Sequence, residues 1–216
     1  MAAYALGGQQ KPLELKGNGI AVDAGKDPVN LTPTLANVQR GFSIANAGQG
    51  PVYSKLSVQG VPKAPLPAAS EGFNVVRTIH KMDGNRADLT QLKQNDRLIV
   101  VLEGRVLTKL RHQSLIVDLL PAGFEIEKSR LKGGGEEPGM KWLGDLTPAK
   151  HIEYRDDRFA AAADLGEGDR EFRFAYMVRA ITPGSYTLPA TIIEDMYQPM
   201  YRAREVTGKV SIAARD

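Results

Sequence analysis

The residues of this chain whose types could do chemistry include three histidines, the adjacent acids Asp156-Asp157 and Glu194-Asp195, and a Gly-rich acidic stretch. His80, His112 and His151 do not pair at i, i+2 or i, i+4, and none has a carboxylate at a metal-ligand spacing, so they are expected to be solvated or strand-face residues. Asp156-Asp157 and Glu194-Asp195 would suit the paired carboxylates of glycoside hydrolysis only if both faced one bond. Neighbours on a strand point to opposite faces, so these pairs read as surface or turn acids. Asp164-Leu-Gly-Glu-Gly-Asp-Arg-Glu171 lacks the alternating Asp ladder of a calcium loop and reads as a hairpin turn. Gly17-Asn-Gly19 and the triple Gly at 133–135 lack the Lys-Ser/Thr of a phosphate loop, and Gly184-Ser185 lacks the flanks of a nucleophile elbow. The chain has no cysteine, which excludes disulfides, thiolate nucleophiles and Cys-based zinc sites. The expectation is a non-enzyme with no catalytic residue, no metal and no cofactor.

One stretch remains, Ile193-Glu-Asp-Met-Tyr-Gln-Pro-Met-Tyr-Arg-Ala-Arg204. It places Met196, Tyr197, Met200 and Tyr201 around Pro199, which interrupts any strand ladder and makes this a loop or a bulged edge. Two readings stay open: a loop whose Met and Tyr fold back on their own core, or an exposed apolar cap meant for a partner surface. A different class of function, adhesion or glycan binding by a stand-alone β-sandwich, would use Trp142, Tyr186, Tyr197 and Tyr201 as an aromatic platform.

The elements that must position these residues are short strands between Gly/Pro turns. In the first part they fall at Leu13–Lys16, Gly19–Asp23, Phe42–Asn46 and Val52–Gln59, with Asn18-Gly19 as a hairpin turn and a short helical turn within 31–37. Gly60-Val-Pro-Lys-Ala-Pro-Leu-Pro-Ala-Ala-Ser70 is a semi-rigid connector, which sets two domains, residues 1–67 and 68–216. Beyond it lie strands at Phe73–His80, 96–102, 105–109, 115–119, 158–165, 186–188, 191–193 and 206–212. In the strand from Phe172, Phe172, Phe174, Tyr176, Val178 and Ala180 take one face at period two. In the strand at 115–119, Leu115, Val117 and Leu119 point one way. Lys132–Gly139 reads as a flexible surface loop. The fold class is all-β, an antiparallel β-sandwich preceded by a smaller β region.

Net charge is only +3, with Lys and Arg interleaved among Asp and Glu, so no basic stripe tracks a phosphate backbone and nucleic acid is not an expected partner. The first residues lack the charged and apolar regions of a signal peptide, and no apolar run nears the ~20 residues of a membrane span. Ala2-Ala-Tyr-Ala-Leu-Gly-Gly8 reads as a helix end with a Gly cap, as expected of a piece excised from a longer chain.

Several motifs carry a resemblance when taken in order. Tyr154-Arg-Asp-Asp-Arg-Phe159, Arg170-Glu-Phe-Arg-Phe-Ala-Tyr-Met-Val-Arg-Ala180, Thr182-Pro-Gly184 and Glu194-Asp-Met-Tyr197 resemble the last macroglobulin-like domain of bacterial alpha-2-macroglobulins. Asn95-Asp-Arg-Leu-Ile-Val-Val101 and Val117-Asp-Leu-Leu-Pro-Ala-Gly123 are similar to its earlier strands. Residues 8–67 resemble the second half of the CUB domain flanking the thioester domain, and residues 1–7 the end of that domain's last helix. The resemblance implies a periplasmic, lipid-anchored parent that inhibits endopeptidases by trapping proteases, with an internal Cys–Gln thioester that this cysteine-free chain does not contain. It implies as partners the thioester domain, the other macroglobulin domains and, through the parent, target proteases. It also implies that Met196 and Tyr197 help cover the thioester. A half-domain with open sheet edges is further expected to pair with a second copy through those edges.

Overall fold

Alternating Val, Ile, Phe and Tyr residues between turns leave little option but pleated strands, and the computed structural model consists of them. It describes residues 14–23, 28–127, 140–166, 168 and 170–215. The chain divides into two compact units, Met1–Gly60 and Val61–Asp216. The helix end expected at residues 1–7 and the surface loop expected at 132–139 lie outside the described residues.

In the first unit, β1 (Leu15–Asn18) pairs antiparallel with β2 (Ser43–Asn46), Leu15 opposite Asn46. Asn18-Gly19 is therefore not the tip of a local hairpin. Gly19 does take positive φ (77°), but this ends β1 and sends the chain away, and residues 19–23 form no strand. The strand expected at Val52–Gln59 is absent as well. The helical turn falls slightly later than expected, as α1 (Leu35–Arg40). Thr34 caps it: the Asn37 N–H donates to Thr34 Oγ1 at 3.2 Å and the Thr34 N–H to Asn37 Oδ1 at 3.0 Å. No described residue of 14–60 is buried, and two strands without a core are marginal by themselves in water.

The second unit is a sandwich. One sheet has six strands in the order β3 (Ala69–Glu71), β14 (Arg202–Arg204), β13 (Ile192–Asp195), β7 (His112–Leu119), β10 (Arg158–Leu165) and β9 (His151–Tyr154). The other has four, β4 (Phe73–Lys81), β6 (Arg97–Val106), β11 (Glu171–Ala180) and β8 (Phe124–Glu127). Three more strands, β12 (Gly184–Leu188), β15 (Gly208–Ala213) and β5 (Leu92–Lys93), form a small sheet that adds Leu188, Val210, Ile212 and Leu92 to the same core. Every strand pairing in the two large sheets is antiparallel.

The β11 pattern works as its period requires. Phe172, Phe174, Tyr176, Val178 and Ala180 all enter the core, with Ala161 and Ala163 of β10 among their core partners. Phe159 of β10 stacks on Tyr176 at 4.6 Å and 8°. Strands β6 and β11 are buried on both faces. Ile99, Val101, Ala175 and Met177 are covered from outside by Met140 and Leu143, beside a 3-10 turn at Lys141–Leu143. Double burial explains the unbroken apolar run from Leu98 to Leu102. The stretches expected at 96–102 and 105–109 are not two strands: β6 runs unbroken to Val106, and residues 107–109 form no strand.

In β7, Leu115, Val117 and Leu119 share a face as expected. That face is only half-buried; the fully buried face carries His112, Ser114, Ile116 and Asp118. Asp118 meets the other sheet there. Arg77 of β4 reaches it at 2.5 Å, Tyr176 Oη donates to Oδ2 at 2.6 Å and Thr191 Oγ1 donates to Oδ1 at 2.8 Å. Arg77 also donates to the Pro189 carbonyl at 2.7 Å. Burial, then the charge of Asp118, pushes the Tyr176 phenol well above its ordinary value, so it stays a donor. Removing one partner of a buried ion pair leaves the other charge bare, so Arg77→Met should cost about 3–5 kcal/mol. Thr191→Val should cost about 1 kcal/mol, because Asp118 keeps its other donors. Urea unfolding of both variants, followed by Trp142 fluorescence, checks the order.

Candidate functional site

The loop Met196–Tyr201 connects β13 to β14, two strands that pair directly, Glu194 opposite Arg202. Its far turn is set by Pro199, which favours the second position of a β-turn, and the Tyr201 N–H donates to the Gln198 carbonyl at 2.9 Å. The base is closed by the Asp195 N–H on the Tyr201 carbonyl at 3.0 Å, and the Met196 N–H is held by the Gln113 carbonyl of β7 at 2.9 Å.

The carboxylate of Asp195, 2% exposed, organises the loop. Its Oδ1 accepts the backbone N–H groups of Tyr197 at 2.8 Å and Gln198 at 2.9 Å. Its Oδ2 faces Nδ1 of His112 at 2.7 Å, and His112 is fully buried. Nε2 of His112 lies 2.6 Å from Thr108 Oγ1, which also accepts the Leu110 N–H at 3.2 Å. An ionised carboxylate only accepts, so Nδ1 carries a proton and donates to Asp195, while Nε2 and the Thr108 hydroxyl share a hydrogen bond. The imidazole packs against two rings, Phe73 at a centroid distance of 4.8 Å and Tyr201 in a T-shaped contact at 5.0 Å. Gly72, at φ 79°, lets Tyr201 lie there, because a Cβ would come within 2.6 Å of the Tyr201 ring.

The two readings of this loop are divided between its residues. Tyr201 folds back on the core, whereas Met196, Tyr197 and Met200 are 47%, 76% and 70% exposed. The acid pair splits as strand geometry requires, but the reading of both as surface or turn acids fails at Asp195, which turns inward and is almost fully buried, while Glu194 does not reach the same place. His80 and His151 are not part of the site. His80 bonds to the Gly84 carbonyl and Thr78, and His151 lies on the edge strand β9. The four aromatics of the adhesion reading serve separate places. Trp142 packs on His80 and over Gly84, the Tyr186 ring lies over Gly123, and Tyr201 is against His112. They make no common platform. Among the described residues no group of three or more His, Asp or Glu side chains could hold a metal ion.

Sequence reasoning passed over His112 and Asp195 as a pair. They stand 83 residues apart, so no local spacing rule joins them. The available signal was the register of the strands, since β13 and β7 pair with Asp195 opposite Ser114, two residues from His112 on the same face.

Burial raises the pKa of Asp195, but the Tyr197 amide, His112 and the Gln198 amide together outweigh it and hold the carboxyl below its ordinary value of 3.8. A depressed carboxyl contributes stability that is complete above the unfolded value and is lost as pH falls through the folded one. The amide NMR shifts of Tyr197 and Gln198 should therefore stay constant from neutral pH down to about pH 4 and move only below it.

Residues 72–199, a span that holds His112, Asp195, Met196 and Tyr197, match the family model described as the Bacterial Alpha-2-macroglobulin MG10 domain. The alpha-2-macroglobulin of Escherichia coli K12 is 35% identical over 171 residues, 75% of this chain and 10% of that protein. That of Xylella fastidiosa Temecula1 is 35% identical over 186 residues, 82% of this chain and 11% of that protein. Among solved structures, a Salmonella alpha-2-macroglobulin mutant is similar over 94% of this chain and 13% of its own, with a TM-score of 0.72 at 27% identity. The Salmonella protein reacted with methylamine is similar over 71% of this chain and 10% of its own, with a TM-score of 0.63 at 33% identity. The chain thus spans about a tenth of the length of the curated relatives it matches. With the matched span covering most of the β-sandwich and the loop built on its edge, the chain belongs to the bacterial alpha-2-macroglobulin MG10 domain family.

Proposed function

We propose that this chain is the C-terminal structural and regulatory part of a bacterial alpha-2-macroglobulin, a periplasmic protease trap, and that it acts without catalysis by packing on the thioester domain and shielding its reactive bond. The observation that carries this reading is the tip of the β13–β14 loop. Met196, Tyr197 and Met200 stand out to solvent from a backbone that is fully hydrogen-bonded at its base. Apolar groups on a rigid mount suit a surface made for a partner rather than a loop awaiting order. A thioester hydrolyses in water, so its cover has to exclude water. A thioether fills irregular gaps, and a phenol packs its ring while its hydroxyl still finds a hydrogen bond. The His112–Asp195 pair does not favour a catalytic alternative, since both side chains are buried away from solvent. The open edges of β1 and β2 support edge pairing with another strand, in the parent or in a second copy.

Methylamine is a suitable probe, being the nucleophile with which the Salmonella relative was reacted. In a full-length, thioester-bearing protein that carries this sequence, Tyr197→Ala should speed methylamine incorporation by about tenfold, the equivalent of roughly 1.4 kcal/mol of lost cover. An unchanged rate removes Tyr197 from the shield.

A further inference from the structure

We propose that His112 is a positioning residue for the Met196–Tyr201 loop, so that the exposed tip is set from inside the β-sandwich by a side chain that never meets the partner. This deepens the shielding reading and rests on it for its consequence, though not for its geometry.

His112 holds both ends of the loop. At the entrance its Nδ1–H meets Asp195 Oδ2 at 2.7 Å. At the exit its ring packs against Tyr201 in a T-shaped contact at 5.0 Å. The two oxygens of Asp195 have separate tasks, Oδ2 for His112 and Oδ1 for the amides of Tyr197 and Gln198. A carboxylate this little exposed gains no donor from water while the loop keeps its place. Without the imidazole N–H, Asp195 would have to turn towards solvent or take up a proton, and in either case the pattern at Oδ1 changes. His112 in turn has no freedom of its own. Thr108 Oγ1 fixes Nε2 at 2.6 Å, and Phe73 packs against the ring at 4.8 Å. The chain of contacts runs from Thr108 through His112 and Asp195 to the backbone of Tyr197, without a gap.

The test uses two substitutions that differ in the donor. His112→Phe keeps a ring and removes the N–H; His112→Asn loses the ring but offers an amide N–H near the place of Nδ1. Amide hydrogen exchange at Tyr197 and Gln198 is measured on the 216-residue chain, and methylamine incorporation on the full-length, thioester-bearing protein. His112→Phe should speed exchange at Tyr197 and Gln198 by about tenfold or more, with exchange in β11 unchanged, and His112→Asn should restore most of the protection. Methylamine incorporation should follow the same order. Should His112→Phe fail to fold, Thr108→Val reads the same chain one link further back, with a smaller change in the same direction. Unchanged exchange at Tyr197 and Gln198 overturns the positioning role whatever the loop covers. Faster exchange, with methylamine incorporation unmoved by either His112→Phe or Tyr197→Ala, upholds the positioning role and defeats the shield. Faster exchange with methylamine incorporation raised by Tyr197→Ala but not by His112→Phe overturns the link from core to cover.

Discussion

A buried carboxylate has to be met by donors on every side, because no water is at hand to supply what the protein omits. Among the described residues two are so buried, Asp118 and Asp195, in neighbouring strands of one sheet. Asp118 draws Arg77 and Tyr176 across from the other sheet and Thr191 from the approach to β13. Those directional bonds fix how the two layers sit on each other, which apolar contact alone does less sharply. Asp195 applies the same requirement to a loop, with two backbone amides and one imidazole as its donors. The sandwich and its exposed tip are thus held by one kind of interaction used twice, once between sheets and once at a sheet edge.

The same requirement explains what could be read from the residues and what could not. β11 was legible because its inward face is wholly apolar, and period two then identifies both the strand and the side that is buried. β7 has an equally clear period, yet its apolar members Leu115, Val117 and Leu119 lie on the less buried face. The buried face holds His112, Ser114 and Asp118, which look like solvent residues until their distant partners are known. Hydropathy ranks residues one at a time, and a polar group is at home in a core only through a partner supplied by the fold. Asn18-Gly19 failed for a related reason. Its glycine adopts the left-handed backbone that such turns need, but the partner of β1 lies beyond α1, and only long-range pairing decides that.

The exposed loop was legible in part. Pro199 and the cluster of Met and Tyr identified an irregular apolar element after a strand, and the element exists. Which side chains face in was not readable, because it depends on Gly72 leaving room for Tyr201 and on His112 packing against it. Once Tyr201 occupies that niche, the turn at Pro199 leaves Met196, Tyr197 and Met200 outside. Core packing on one side of the loop and exposure on the other are two consequences of one placement.

The rigidity of the mount matters because the cover itself is small. Burying one large apolar side chain contributes about 1.5–3 kcal/mol, so Tyr197 and Met196, 76% and 47% exposed in the free loop, would together supply a few kcal/mol to such a cover. Ordering a free side chain on docking costs about 0.5–1.5 kcal/mol, and a loose six-residue loop would add backbone terms of its own. A floppy tip would lose most of its docking energy to that ordering. With Asp195 and His112 fixing the backbone beforehand, nearly all of the contact energy remains for the partner. For the proposed cover, the fixed backbone under Met196 and Tyr197 is what leaves that energy to the partner, and it depends on Asp195 and His112, two side chains that lie beneath the loop.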